Sequence, residues 1–543
     1  MRRRDYLAGA AGLLLSGCSG EPPAQIYLHN ARIWTGDLKL PWASSMIVRE
    51  GRIVAFDEKA AADTVIDAAG ATVTPGFIDS HVHAFQGGLR LKQVQLRECY
   101  SKEEFVRKIG NYAADSPRGD WILGGDWDHQ SWGGVLPEKD WIDGMTSNHP
   151  VWVTRLDGHM GLANSPALRL ANINRTTPDP PGGVIVRDAE GEPTGILKDN
   201  AMGLLTRSIP QASDMMRGQA FDAAMTYLVE RGVTSIHHMG ALEDLNVLNT
   251  FRKEGRLRLR VYAAAPLSRW SETVEWIKAN GRGDSWMKPG IVKGFVDGSL
   301  GSHTAAMEEP FTDTPHDRGL MVNSEYQLYD WIRGADRAGL QIAVHAIGDR
   351  ANHILLDIYE RVAKENGARD RRFRIEHAQH LRPQDVPRFA ALGVIASMQP
   401  YHAIDDGRWA TNFIGPERSK TSYAFRSLLD AKARLAFGSD WFVAPPWPIA
   451  GLYAAVTRRT LDDKNPGGWI PEQRIQLEEA VRAYTAGSAY AGFQEEITGT
   501  LSPGNRADFV VFDRNIAKAP AEKLREAQVR YTVVEGRVMY TRG

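Results

Sequence analysis

Residues 76–83 read GFIDSHVH, a short apolar run that closes on two histidines two positions apart, His81 and His83. The aromatic and β-branched residues ahead of them predict a strand. Side chains two apart on a strand share a face, so both imidazoles leave one end of that strand on one side. Such a pair chelates zinc or a similar ion. Alone, an HxH triplet occurs more often by chance or as core polar residues than as ligands. Its weight depends on whether the rest of the chain repeats the pattern.

Seven further apolar runs follow: VTSIHH (233–238), LRVYAAA (259–265), IVKGFVDG (291–298), LQIAVHA (340–346), FRIEHA (373–378), GVIASMQ (393–399) and ARLAFGSD (433–440). Helical periodicity separates several of them, as in Phe221, Ala224 and Leu228, or Ile354, Ile358 and Val362. Eight strands with intervening helices predict an α/β fold, a distorted (β/α)8 TIM barrel. Four of the later runs also end in a ligand type: Lys293, His345, His377 and Asp440. Barrel enzymes carry their chemistry at the C-terminal ends of the strands, and closure brings those ends to one rim.

Lys293 needs its own argument, because an ammonium is repelled by a cation. A desolvated lysine loses its proton readily. The neutral amine can add carbon dioxide to give a carbamate, an anionic oxygen ligand able to bridge two ions. The plainer alternative is an ion pair with a neighbour such as Asp297.

The barrel spans 76–494 in this reading, but 84–215 is far too long for one strand-to-helix connection. It contains a strand-like run, VWVTRLDG (151–158), and Trp121, Trp127, Trp132, Trp141 and Trp152. We read it as an inserted subdomain. Its tryptophans either line an apolar or aromatic substrate pocket or fill the subdomain's own core. Arg155 either forks onto a substrate carboxylate or carbonyl, or pins a loop through an acidic neighbour. Asp349 caps the helix after His345 or supports that histidine. Gln399 and His402, after the seventh run, face the substrate in this reading. Residues 25–75 and 495–543 carry short β-branched runs broken by Asn, Gly and Asp, which predict one small β-sandwich built from both ends of the chain.

The chain of 543 residues has Lys+Arg 65 against Asp+Glu 66, a formal net charge of −1, and shows no basic stripe, so no nucleic acid is expected as a partner. Its 43% hydrophobic residues exclude disorder. Two cysteines make no disulfide framework, and Cys99 reads as buried filler. Residues 1–17 join Arg2, Arg3 and Arg4 to a short apolar run, the pattern of an export signal. Arg3-Arg4 resembles a twin-arginine signal, and Leu15-Ser16-Gly17-Cys18 resembles a lipobox, with 18–24 as a tether. These features imply a bacterial protein exported to the periplasmic side of the cell envelope, touching a membrane through lipidated Cys18 alone.

In this order, HVH, the lysine of IVKGF, VHAIGDRA, IEHAQ and GSDW resemble the amidohydrolase superfamily. GGDWDHQSWGG (124–134), VWVTRLDGHMGLANSPAL (151–168), VKGFVDGSLGSHTA (292–305) and ASMQPYHA (396–403) resemble its YtcJ-like branch, which includes N-substituted formamide deformylases. The resemblance covers essentially everything after the tether. It implies two zinc ions per chain: His81, His83 and Asp440 on one, His345 and His377 on the other, and carboxylated Lys293 between them. It implies Asp440 as the catalytic proton shuttle, His159 as a substrate contact, and a small amide-like substrate whose non-peptide carbon–nitrogen bond is hydrolysed. Ester, lactone or carbamate hydrolysis on the same site is an alternative, as is an inactive lipid-anchored binding protein; a homo-oligomer stays open. Three positions depart from the branch: Asp126 and His303, where Gly and Arg are usual, and His380, where an apolar residue is common.

Overall fold

A computed structural model describes residues 26–543; the expected export signal and the whole tether, Cys18 included, lie outside the described residues. Eight strands form one parallel sheet: β1 (Phe77–Val82), β2 (Val233–His238), β3 (Arg260–Pro266), β4 (Met287–Phe295), β5 (Gln341–Ala346), β6 (Arg374–His377), β7 (Ile395–Met398) and β8 (Arg434–Phe437). They pair in chain order, each with the next. The strands are buried almost throughout, as parallel strands covered on both faces must be. That is why they read as continuous apolar runs rather than as alternation. β4 begins four residues ahead of its apolar run, through Lys288, Pro289 and Gly290, where the register shifts against β3. A Pro-Gly pair that reads as a turn here forms an irregular strand entrance.

The sheet closes on itself just past the strand ends. The Asp440 N–H donates to the His81 carbonyl (2.7 Å) and the His83 N–H to the Trp441 carbonyl (2.7 Å). Asp79 holds the same seam, its Oδ1 accepting from the Ser439 N–H at 2.9 Å and its Oδ2 from the Ser439 hydroxyl at 2.5 Å. Gly438 is required there, since a Cβ would stand 2.6 Å from the His81 nitrogen and 2.7 Å from Asp79 Oδ1. The seam therefore puts the ends of β1 and β8, with their functional side chains, directly against each other.

Between β1 and β2 the chain builds a separate six-stranded sheet, in the order Gly183–Arg187, Pro193–Asp199, Met160–Ala163, Val151–Arg155, Ile122–Trp127, Val94–Gln95. Trp127, Trp132 and Trp141 surround Phe105, with ring centroids 6.3, 5.5 and 6.4 Å away, and Trp152 lies in a second apolar cluster. The insertion's tryptophans thus fill its own cores. Asp126 has φ 66°, a left-handed conformation that glycine adopts without strain, which accounts for glycine being usual there.

Both ends of the chain meet in another six-stranded sheet, where Thr72–Pro75 pairs antiparallel with Phe509–Phe512. A four-stranded sheet that includes Ile26–His29 and Met46–Arg49 faces it, and Leu28, Met46, Val73, Val511 and Val533 are buried between the two. Each such aliphatic side chain stabilises the sandwich by about 1.5–3 kcal/mol. Fully buried Arg260, on β3, pins this unit to the barrel through Asp508 at 2.8 Å. Among the described residues no helix is long and apolar enough to cross a membrane.

Candidate active site

The C-terminal rim of the barrel gathers the expected side chains. His81 and His83 point Nε2 at Asp440 Oδ1, at 3.3 and 3.2 Å. Lys293 Nζ lies 3.3 Å from His81 Nε2. The ring of His377 is 4.8 Å from that of His81 and 4.6 Å from that of His345, centroid to centroid. Residues more than 350 positions apart in the chain, His81 and Asp440, are therefore in contact.

Glu376, which our sequence reading passed over, organises this group. Its Oε2 accepts from His81 Nδ1 at 2.5 Å, so His81 keeps its proton there and presents Nε2 as a bare lone pair. Glu376 is in turn held by Arg374, whose Nε donates to Oε1 at 2.7 Å, and both side chains are fully buried. The signal was available: Glu376 directly precedes His377, and its side chain enters the barrel beneath His81. We expect Glu376→Gln to weaken zinc affinity about 10–100-fold, the usual effect of removing such a supporting carboxylate, read by competition with a chelator. Arg374 would lose its charge partner, so the metal-free unfolding free energy should fall by about 3 kcal/mol, measured in urea. Unchanged zinc affinity would refute the role.

The site's electrostatics suit a cation. Burial, aided by Lys293 and neighbouring imidazoles, holds His81, His345 and His377 well below the usual histidine range, so their rings are neutral. Burial alone would raise the Asp440 carboxyl, but His81 and His83 outweigh it and keep it an anion. Asp440 Oδ1 is nonetheless buried without a hydrogen-bond donor, an orphaned anionic oxygen between two imidazole nitrogens. Two groups of donors lie within 4.8 Å of one another: His81, His83 and Asp440, and His377, His402 and Asp440. The residues present therefore fit divalent metal.

The second group differs from expectation in one member. His345 Nε2 is engaged by the Gly298 carbonyl at 2.9 Å and stands 3.5 Å from Asp297 Oδ1, which leaves Nδ1 as its free nitrogen. His402 instead joins His377 and Asp440 with ligand atoms within 4.8 Å of one another. Lys293 is 7% exposed. Among the described residues no carboxylate lies within ion-pairing distance of it; the alternative partner, Asp297, instead accepts from the N–H groups of Ala306, Ile347 and Gly348. Burial pushes the Lys293 ammonium down to about 8. A buried lysine without a counter-ion is the state from which a carbamate forms.

A cleft above the rim encloses about 470 Å³ of empty space, mouth included, and is lined by His345, His377, His402 and Asp440 at its base and by Arg155, Asp157, His159, Asp405, Asp406 and Trp409 on its walls. Arg155 does not offer its guanidinium to a ligand: it binds Asp157 at 2.6 Å, Asp128 at 2.9 Å and His129 Nδ1 at 3.3 Å. It is the loop-pinning residue of the two alternatives. His159 lines the cleft with Nδ1 held 2.7 Å from Asp199, an interaction that raises its affinity for a proton despite burial. Gln399 requires correction. It is fully buried behind His377, its Oε1 2.7 Å from His377 Nδ1, and so orients a ring instead of meeting substrate. Asp349 accepts from the N–H groups of Glu308 and Arg350, tying down a loop. His303 and His380 pair with Asp313 and Ser422 and do not line the cleft.

Known proteins share this sequence and fold. The model of the amidohydrolase family matches residues 64–540. Protein LONG AFTER FAR-RED 3 of Arabidopsis thaliana is 40% identical over 537 residues, spanning 95% of this chain and 92% of that protein. The protein YtcJ of Bacillus subtilis is 32% identical, spanning 87% and 89% of the two chains. An N-substituted formamide deformylase of Arthrobacter pascens is 28% identical, spanning 95% and 98%. A crystal structure of a metal-dependent hydrolase from Pyrococcus horikoshii superposes with a TM-score of 0.74 at 27% identity, covering 92% of this chain and 99% of that one.

Proposed function

The chain belongs to the amidohydrolase family and is an enzyme of the hydrolase class; from that premise we propose that it hydrolyses a non-peptide amide bond of a small molecule, an N-acyl or N-formyl amine, with divalent metal at the barrel rim. The observation that carries this reading is the orphaned Asp440 Oδ1 set between His81 and His83. The similarity to a formamide deformylase supports the choice of bond.

In this reading His81, His83 and Asp440 would hold one cation, and His345, through the Nδ1 that Gly298 leaves free, with His377 and carboxylated Lys293 would complete a second position. When bound, the metal supplies a water of lowered pKa and an electrophile for the carbonyl oxygen. The protein does the rest. Glu376 and Gln399 fix the rings of His81 and His377. Asp440, held ionised by its imidazoles, takes a proton from the attacking water and returns it to the leaving nitrogen. His159, its Nδ1 tied to Asp199, and His402 flank the acyl group from the cleft wall.

Metal analysis of protein expressed with added zinc, together with turnover of N-formyl and N-acetyl amines beside matched esters, tests the proposal. Bound divalent metal and amide turnover are expected. Turnover of the esters alone would move the assignment to an esterase, and absence of both metal and turnover would end it.

A further inference from the structure

The walls of the cleft are acidic. Asp157, Asp405 and Asp406 face it, and Arg155 is its sole Lys or Arg among the described residues. Arg155 is spent on Asp157 and Asp128, and Asp405 is paired with Arg408. Asp406 alone has no cation within pairing distance. Its Oδ2 accepts the Tyr423 hydroxyl at 2.5 Å, and its Oδ1 accepts nothing from the described residues. Unlike Asp405, it is partly exposed, and it lines the cleft. Three residues on, Trp409 lines the same wall; it is 7% exposed, and its Nε1–H is buried with no acceptor. That N–H is closed off from the cleft, so Asp406 Oδ1 is the group left there for a ligand, a carboxylate oxygen wanting a cation.

Resting on the hydrolytic reading above, we propose that Asp406 selects substrates by charge, so that the preferred substrate is an acylated amine carrying a second, protonated nitrogen that pairs with Asp406 Oδ1. An anionic substrate is disfavoured, because it would meet Asp405 and Asp406 with Arg155 already neutralised. Burial pushes the Asp406 carboxyl up to about 7; an ammonium beside it would favour the ionised form.

The test compares N-acetylputrescine with N-pentylacetamide, which differ only in a terminal ammonium against a methyl group. In the zinc-loaded wild type, kcat/KM should be at least about tenfold higher for N-acetylputrescine. Asp406→Asn should bring the ratio of the two close to one, and Asp406→Glu should restore a ratio above one. A wild-type ratio near one overturns the proposal without needing any variant, and so does a ratio that Asp406→Asn leaves unchanged. If N-pentylacetamide is cleaved and the charged compound is not preferred, the hydrolytic reading stands and the selectivity falls. If neither is cleaved, calorimetric binding of N-acetylputrescine decides: at least about tenfold weaker binding to Asp406→Asn supports the charge site, and equal binding refutes it.

Discussion

Replacing Asp440 by Asn should lower kcat/KM on an N-acyl amine by at least about a thousandfold, because one side chain is asked to do two things. Its Oδ1 is an anionic donor 3.3 and 3.2 Å from the nitrogens of His81 and His83. In the proposed mechanism the same carboxylate takes the proton of the attacking water. An amide in its place keeps the shape and loses both the charge and the basicity. The fold should survive, since the Asp440 backbone N–H that closes the barrel on the His81 carbonyl is untouched. The variant should therefore unfold near the wild-type midpoint when both are metal-free, yet retain less zinc after dialysis. Activity above a tenth of wild type would remove Asp440 from the mechanism.

Lys293→Met should separate function from stability in opposite directions. Turnover should fall by about a thousandfold or more, because methionine can neither form a carbamate nor supply an anionic oxygen. The metal-free protein should nevertheless gain about 1–3 kcal/mol in urea unfolding, since a buried ammonium with no carboxylate within pairing distance is replaced by an apolar chain of similar length. An ordinary structural lysine would show the reverse, little change in rate and lost stability. A full-rate Lys293→Met enzyme would exclude the bridging role.

The barrel was legible because its strands are short, apolar and evenly punctuated, and because a ligand type recurs at their ends. His81, His83, His345, His377 and Asp440 could be placed on one rim from topology alone. What pattern could not give was direction. Gln399 follows β7 as a substrate contact would, but the strand end turns its amide behind His377. Arg155 reads as a recognition residue, but Asp128, 27 positions away, reaches its guanidinium and spends its charge. Trp409 and Asp406 escaped notice because they lie in the stretch after β7, with no periodicity to mark them, and only the folded chain brings them to the cleft. Glu376 carries no spacing signal of its own: it directly precedes a ligand-type histidine, and only the folded chain brings its carboxylate to His81.

The pairing of Val73 with Val511 has a consequence for biosynthesis. One edge of Thr72–Pro75 has no partner until Phe509–Phe512 follows, over four hundred residues later. At about 5–20 residues per second, that interval is on the order of twenty seconds to a minute and a half. Throughout it, Ile33 and Val73 pair with each other but lack the cover that Val511 and Val533 complete in the finished molecule. The nascent chain thus carries one unpaired strand edge for most of its synthesis, and a ribosome that stalls near the end of the message releases a product whose barrel strands are all present and whose terminal sheet is unfinished.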